Sequence, residues 1–252
     1  MRNFKFKLWL MLVLTGIVGV ASLLLSDLPL DNIPAEVKEQ ISMETLKFIV
    51  LVNPAILVII AATVGIFLYD KVTLSVPLLT KLIDKTNTVA FSIKRIIGEG
   101  IVWGVFAGVA IVAVPYFFKS YLPEVLFQSS DSLKLNLLTR LLYGGVTEEI
   151  LCRFGLMTFI VWLLYKIFKQ LNAAIYWIGI VLAAVLFGIG HLPVAQQLVG
   201  EMTFAVYTYI ILANSIAGVF FGYAYWKRGL ECAIIAHALA HVTMLGLGWI
   251  GG

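Results

Sequence analysis

Charge is scarce in this chain. Only 13% of its 252 residues are Asp, Glu, Lys or Arg, whereas 61% are hydrophobic, and the mean hydropathy is +1.00. A globule of this length cannot cover itself in water with so little polar surface, which excludes the soluble classes and leaves an integral membrane protein. Histidine is scarcer still, with His191, His237 and His241 the complete set. The two cysteines, Cys152 and Cys232, lie in or beside apolar runs without metal-ligand spacing. They read as small packing residues and exclude a disulfide scaffold. There is no helical repeat and no low-complexity tract, and the lack of a half-to-half repeat disfavours a small proton-coupled carrier.

The chain does have long apolar runs. Stretches of about 20 apolar residues, enough to cross roughly 30 Å of hydrocarbon, occupy 8–25, 46–69, 97–118, 173–191, 203–226 and 230–250. A further run at 133–165 would rise about 50 Å as a straight α-helix, so it must tilt, break or fold back. The expected architecture is an all-α polytopic bundle of about seven helices, six to eight depending on that run. It forms a single integral membrane domain over 1–252, with variable helices in 1–130 and the chemistry in 133–250. The first run has the basic start of a signal peptide but no convincing cleavage site, and reads as a retained helix.

Basic residues set the expected orientation. Arg2, Lys5 and Lys7 precede the first run; Lys71, Lys81, Lys85, Lys94 and Arg95 separate the second and third. Lys166 and Lys169 follow the long run, and Lys227 and Arg228 precede the last. They alternate with acidic or neutral segments at 27–44, 119–134 and 192–202, which puts the N-terminus in the cytoplasm of a multi-pass plasma-membrane protein of bacterial type. The net charge of +4 then describes loops facing anionic membrane lipids and not a nucleic-acid surface. Residues 70–94 mix Leu78, Leu79, Leu82 and Ile83 with lysines at helical spacing, as an interfacial amphipathic helix does.

Ionisable groups at membrane depth mark function. Glu148 and Glu149 are adjacent, and on a helix Glu149 meets Arg153 at i, i+4, an ion pair that neutralises one carboxylate. Glu148 points about 100° away without a local partner, which suits a general base. The structural alternative makes both glutamates part of an ion-pair cluster, or places them at a break after Gly144-Gly145 with Thr147 as cap. His191 ends the run Phe187-Gly-Ile-Gly, with Phe187 one turn earlier on its face. His237 and His241 stand one turn apart, roughly 6 Å, as two ligands of a zinc protease helix do. This segment lacks the internal glutamate of H-E-x-x-H, so a base must come from another helix. The alternative for the pair is a polar seam bonded to backbone or to Asn214.

Glu-Glu-x-x-x-Arg, then Phe-x-x-x-His, then His-x-x-x-His, in order on successive membrane helices, resembles the CPBP intramembrane protease family, also called the CAAX protease and bacteriocin-processing (Abi) family. The lead-in from Gly218 through Tyr225, Arg228-Gly229-Leu230 and Ala233-Ile234 to His237 is similar to the approach to that family's third motif. The resemblance covers about 141–245. It implies a peptidase in which Glu148 activates water, His191 positions that water or binds metal, and Glu149 with Arg153 orients the site. His237 and the residue four later would stabilise the oxyanion or complete a metal site. The prenyl-protein branch commonly has asparagine where this chain has His241, a departure toward a general bacterial-type peptidase.

Metalloprotease and metal-free glutamate–histidine mechanisms are both argued for the family. Zn2+ held by Glu148, His191, His237 and His241 is the expectation adopted. The expected substrates are membrane-associated or lipidated peptides and proteins. A scaffold or bacteriocin-immunity role, with the motif residues structural, is the second reading. One geometric conflict follows from straight-helix arithmetic: His191 lies about 27 Å along its helix and His237 only about 11 Å along its own, starting from the same side. A single site requires a distortion that brings their rings within about 10 Å, the reach of a shared metal or water.

Overall fold

In the computed structural model, residues 2–26, 35–84, 91–126 and 135–251 are described. Helices are their only regular secondary structure, and seven of these are long and apolar enough to cross a membrane. We number the seven α1 (Arg2–Ser22), α2 (Met43–Leu68), α3 (Ile93–Phe117), α4 (the span Leu137–Phe168), α5 (Ala173–Gly190), α6 (Phe204–Arg228) and α7 (Leu230–Gly251). The chain is therefore a multi-pass helical membrane protein. Large apolar side chains such as Phe48, Phe67, Phe106 and Leu182 are exposed on the outside of the bundle, as expected of a surface solvated by lipid tails and not by water.

The helices start where polar side chains can satisfy the orphan amides of a first turn. The side chains of Ser42, Ser92, Asn136, Asn172 and Thr203 accept from the backbone N–H groups of Thr45, Arg95, Thr139, Ile175 and Val206, opening α2 to α6 respectively. Between α6 and α7 the chain reverses at Gly229, whose φ of +97° favours a residue without Cβ. Pro77 packs 2.4 Å from the place where a Cβ would stand on Gly229, so no larger residue fits there.

The 133–165 run neither folds back nor breaks. From 137 onward it is one helix whose middle widens to π geometry over Arg140–Glu148 and Ile150–Met157. Its first two residues, 133 and 134, lie outside the described residues, as do parts of the segments 27–44 and 119–134 used for orientation. Hydrogen bonds to the fifth preceding carbonyl put more residues into each turn, which shortens the run and accounts for its length. Hydroxyls support the wide turns: Thr158 Oγ1 donates to the Arg153 carbonyl at 3.1 Å, and Thr147 Oγ1 donates to the Gly16 carbonyl of α1 at 2.9 Å.

The amphipathic stretch expected over 70–94 is shorter than anticipated. It comprises the seven-residue helix Pro77–Ile83, and 85–90 lie outside the described residues. Glu231 Oε1, at the start of α7, accepts from the Leu79 N–H at 2.9 Å and so caps this helix from another element. Both cysteines are free thiols, and Cys232 is fully buried.

The contact between α3 and α7 rests on a row of glycines that the periodicity of hydrophobics does not reveal. Gly100, Gly104 and Gly108 face Cys232, Ala236 and Ala240 of α7, closely enough that a Cβ at Gly104 would lie 2.6 Å from the Ala236 carbonyl oxygen. Small residues every fourth position let two membrane helices approach backbone to backbone. Gly104→Val should overpack this seam, cost about 1–3 kcal/mol and lower the Tm of the detergent-solubilised protein by roughly 2–12 °C. Gly98→Ala should leave Tm unchanged, because nothing lies within 4 Å of that position.

Candidate active site

Helices α4 to α7 each contribute to one buried cluster. On α4, Glu149 is fully buried and Arg153 1% exposed, and their charges pair at 3.3 Å between Oε2 and Nε. Glu149 Oε1 accepts from His237 Nδ1 of α7 at 2.9 Å. The Arg153 Nη2 donates to the Gly218 carbonyl of α6 at 3.3 Å. Its guanidinium lies 4.9 Å from the ring of Phe187 on α5 and 5.4 Å from that of Phe221 on α6, so both faces of a desolvated cation meet aromatic rings.

The glycines of α4 decide how close the histidines come. A Cβ on Gly144 would lie 2.5 Å from His241 Nε2, and one on Gly145 3.2 Å from Ala238. The wide helix therefore presses bare backbone against the face of α7 that carries His237 and His241. Those two imidazoles are stacked, with centroids 5.0 Å apart and planes 20° off parallel, and Phe221 stacks on the other side of His237 at 4.4 Å.

His191 and His237 both pack edge-to-face on Phe187, at centroid distances of 4.6 Å and 6.0 Å. The straight-helix conflict narrows at Phe187, whose ring meets both imidazoles. Side chains of a helix lean toward its N-terminus, and His191 Nδ1 folds back onto the Phe187 carbonyl at 2.8 Å. Phe187 then spans part of the remaining height to α7. All six residues expected from the sequence, Glu148, Glu149, Arg153, His191, His237 and His241, thus face one region. Asn214 is not among them; its side chain donates to the Ile210 carbonyl of its own helix.

Glu148 differs from its neighbour. Its side chain is 19% exposed, and its Oε2 stands 3.8 Å from His237 Nε2, too long for a direct hydrogen bond but short enough for one water to reach both. The tautomers follow from the partners. The Phe187 carbonyl can only accept, so His191 carries its proton on Nδ1; a carboxylate partner assigns the same to His237. In the neutral forms each Nε2 is then an acceptor. His241 Nδ1 has no hydrogen-bond partner among the described residues, which leaves its tautomer unassigned.

The donor set expected for zinc does not converge on one point. Among the described residues no group of three or more His, Cys, Asp or Glu side chains is placed to hold a metal ion. The rings of His237 and His241 are stacked with their planes 20° apart. The Nδ1 atoms of His191 and His237 are engaged by the Phe187 carbonyl and by Glu149, which leaves Nε2 as the free nitrogen of each ring. Neither Phe221 nor Gly144 was singled out as a site residue from sequence; Phe221 was visible only within the Gly218-Val-Phe-Phe-Gly222 lead-in, and Gly144 only as part of a possible helix break at Gly144-Gly145.

The Arg153 network generates a stability prediction. Arg153→Met leaves Glu149 buried and uncompensated, and should cost about 3–5 kcal/mol. The double variant Glu149→Gln/Arg153→Met should recover much of that loss. Thermal unfolding of the purified variants reads both, and additive losses would mean the two side chains are not coupled.

Residues 130–243 match a family model described as Type II CAAX prenyl endopeptidase Rce1-like. No curated protein and no solved structure matches the chain.

Proposed function

We propose, from the match of residues 130–243 to the Rce1-like CAAX prenyl endopeptidase family, that the protein hydrolyses a peptide bond in a membrane-associated or lipidated substrate by glutamate-activated water. The observation that carries the reading is the pair of acceptors Glu148 Oε2 and His237 Nε2 at 3.8 Å, with Glu149 holding the His237 ring from behind at 2.9 Å. One water can donate a hydrogen to each acceptor and so present its lone pair for attack.

The chemistry runs through the chain's own groups. Glu148, the partly exposed carboxylate, takes the proton of the water as its oxygen attacks the scissile carbonyl. His237 orients that water; it acts as acceptor because Glu149 holds its proton on Nδ1. His191 Nε2 is a second acceptor on the same side of Phe187. The oxyanion needs an N–H donor, and His241 is the imidazole whose tautomer is uncommitted, so it supplies that donor. Glu148 then returns the proton to the leaving amine. The role expected for His237 at the oxyanion therefore moves to His241, for the physical reason that His237's one neutral-state proton is committed to Glu149. Arg153 positions Glu149 and stays out of the reaction.

Glu148→Gln keeps shape and removes the base, so turnover should fall by about 10²–10⁴-fold with Tm unchanged. Mass spectrometry of new peptide termini in membranes from cells expressing either form at equal abundance reads this directly. Termini identical in the two samples would refute hydrolysis and favour a scaffold. His241→Ala should lower kcat by about 10²–10³-fold, whereas His241→Asn, which retains an N–H donor, should recover part of it with little change in KM. Loss of activity in both variants alike would remove His241 from the oxyanion role.

A further inference from the structure

A second cavity, of about 410 Å³, opens at one end of the bundle, away from the glutamates and histidines. Its wall is formed by the first turn of α3, the short helix Pro77–Ile83 and the reversal between α6 and α7. Four of its lining residues are cations, Lys81, Arg95, Lys227 and Arg228, and none is acidic. Ser75, Thr80 and Ser92 add hydroxyls to the lining, while Phe91, Val76 and Ile96 add apolar surface.

The cations are held by different means. Arg228 is fixed by Glu99, with Nε and Nη2 both bonded to Glu99 Oε1 at 2.8 and 2.7 Å, and its Nη1 donates to the Lys227 carbonyl at 3.0 Å. The Lys227 ammonium lies 3.4 Å from the centre of the Trp226 ring. Arg95 and Lys81 are exposed, and Arg95 sits in the first turn of the 25-residue α3, whose N-terminus adds partial positive charge. Glu99 offsets the charge of Arg228, and Arg95 and Lys227 give the lining a net positive charge.

We infer that this cavity binds the phosphate of an anionic phospholipid headgroup. Three observations favour a lipid over a soluble anion. The cavity lies among the ends of membrane-spanning helices, where headgroups lie. Its aromatic and aliphatic wall suits the glycerol and first methylenes of a lipid, which free phosphate lacks. The same end carries further interfacial features: Lys5 pairs with Asp70 at 2.6 Å and lies over Tyr69, a lining residue of the cavity. Basic pockets between membrane helices recognise headgroups in this way. A bound lipid would bridge the α3 terminus, the short helix capped by Glu231 and the α6–α7 turn, and so brace the base of the helix that carries His237.

The test uses the full-length protein in mixed micelles, with phosphatidylglycerol titrated against phosphatidylcholine and with inorganic phosphate as a separate arm. Native mass spectrometry and Tm are both read. The wild-type protein should retain phosphatidylglycerol selectively and gain Tm with it. Arg95→Gln/Lys227→Gln removes two lining cations, each worth about a factor of five near an anionic headgroup, so its affinity should fall about 30-fold. Lys47→Gln/Lys119→Gln, an equal loss of charge outside the cavity, should bind as the wild type does. Equal weakening in both double variants, or no preference for phosphatidylglycerol, would overturn the site. Protection by inorganic phosphate as large as that by the lipid would overturn the lipid assignment. Retention of hydrolytic activity in the lipid-free protein bears on neither outcome, so failure here is distinguishable from failure of the peptidase reading.

Discussion

The pairing of Glu149 with Arg153 is the constraint on which the rest of the site depends. In hydrocarbon neither charge can be left alone, and every hydrogen-bonding group of the pair seeks a partner inside the protein. The solution found here enlists four helices. The carboxylate and guanidinium come from α4, the carbonyl of Gly218 and the face of Phe221 from α6, the face of Phe187 from α5 and the imidazole of His237 from α7. A buried ion pair is weak evidence for stability, because its desolvation offsets much of its attraction. Its effect here is on arrangement: with Glu149 bonded to His237 through Oε1 and paired with the Arg153 charge at Oε2, the neighbouring carboxylate is the one left partly exposed.

That arrangement requires α4 to come unusually close to α7, and the backbone supplies the means. An α-helix of side chains at 144 and 145 would hold α7 off by the thickness of two Cβ atoms. Gly144 and Gly145 remove them, and the π turns widen the helix at the same place. π-helical turns concentrate at functional sites because they re-aim side chains that regular α geometry would send elsewhere. Gly155 does the same against Ala61 of α2, and Gly65 of α2 receives Phe154. The wide helix is thus locked from both sides, and the glutamates are positioned by backbone contact more than by their own bonds.

Much of this was legible in the residues and some was not. The seven spans and the membership of the cluster could be read because hydropathy and intramembrane charge are local properties. The fate of the 133–165 run could not, because a π-helix has no hydrophobic period distinct enough to announce it and its first turns depend on α1 and α7. The apparent 16 Å height difference between His191 and His237, the gap between about 27 Å and about 11 Å along their helices, came from counting Cα rise alone. The Phe187 ring, in contact with both imidazoles, spans part of it, and side-chain reach is invisible in residue spacing. The zinc set was inferred from residue type and i, i+4 spacing, and the same spacing also brings the rings of His237 and His241 into a stack.

Glu148 and Glu149 show how far environment, and not residue type, assigns chemistry. Adjacent in sequence and identical in structure, they point to different sides of one helix. One side holds a guanidinium, an imidazole N–H and no solvent; the other holds an imidazole acceptor and an opening that leaves the side chain 19% exposed. A carboxylate bound by two cationic or N–H donors is a fixed electrostatic element, whereas one that faces an acceptor and water can cycle a proton. Pairs of titratable groups driven apart by their surroundings are how one fold separates orienting from reacting roles. Exchanging the two residues' partners would require turning α4 by about 100°, which the glycine contacts with α7, α2 and α1 forbid. The proposed division of labour at the site is therefore a property of helix packing, set by residues outside the proposed chemistry.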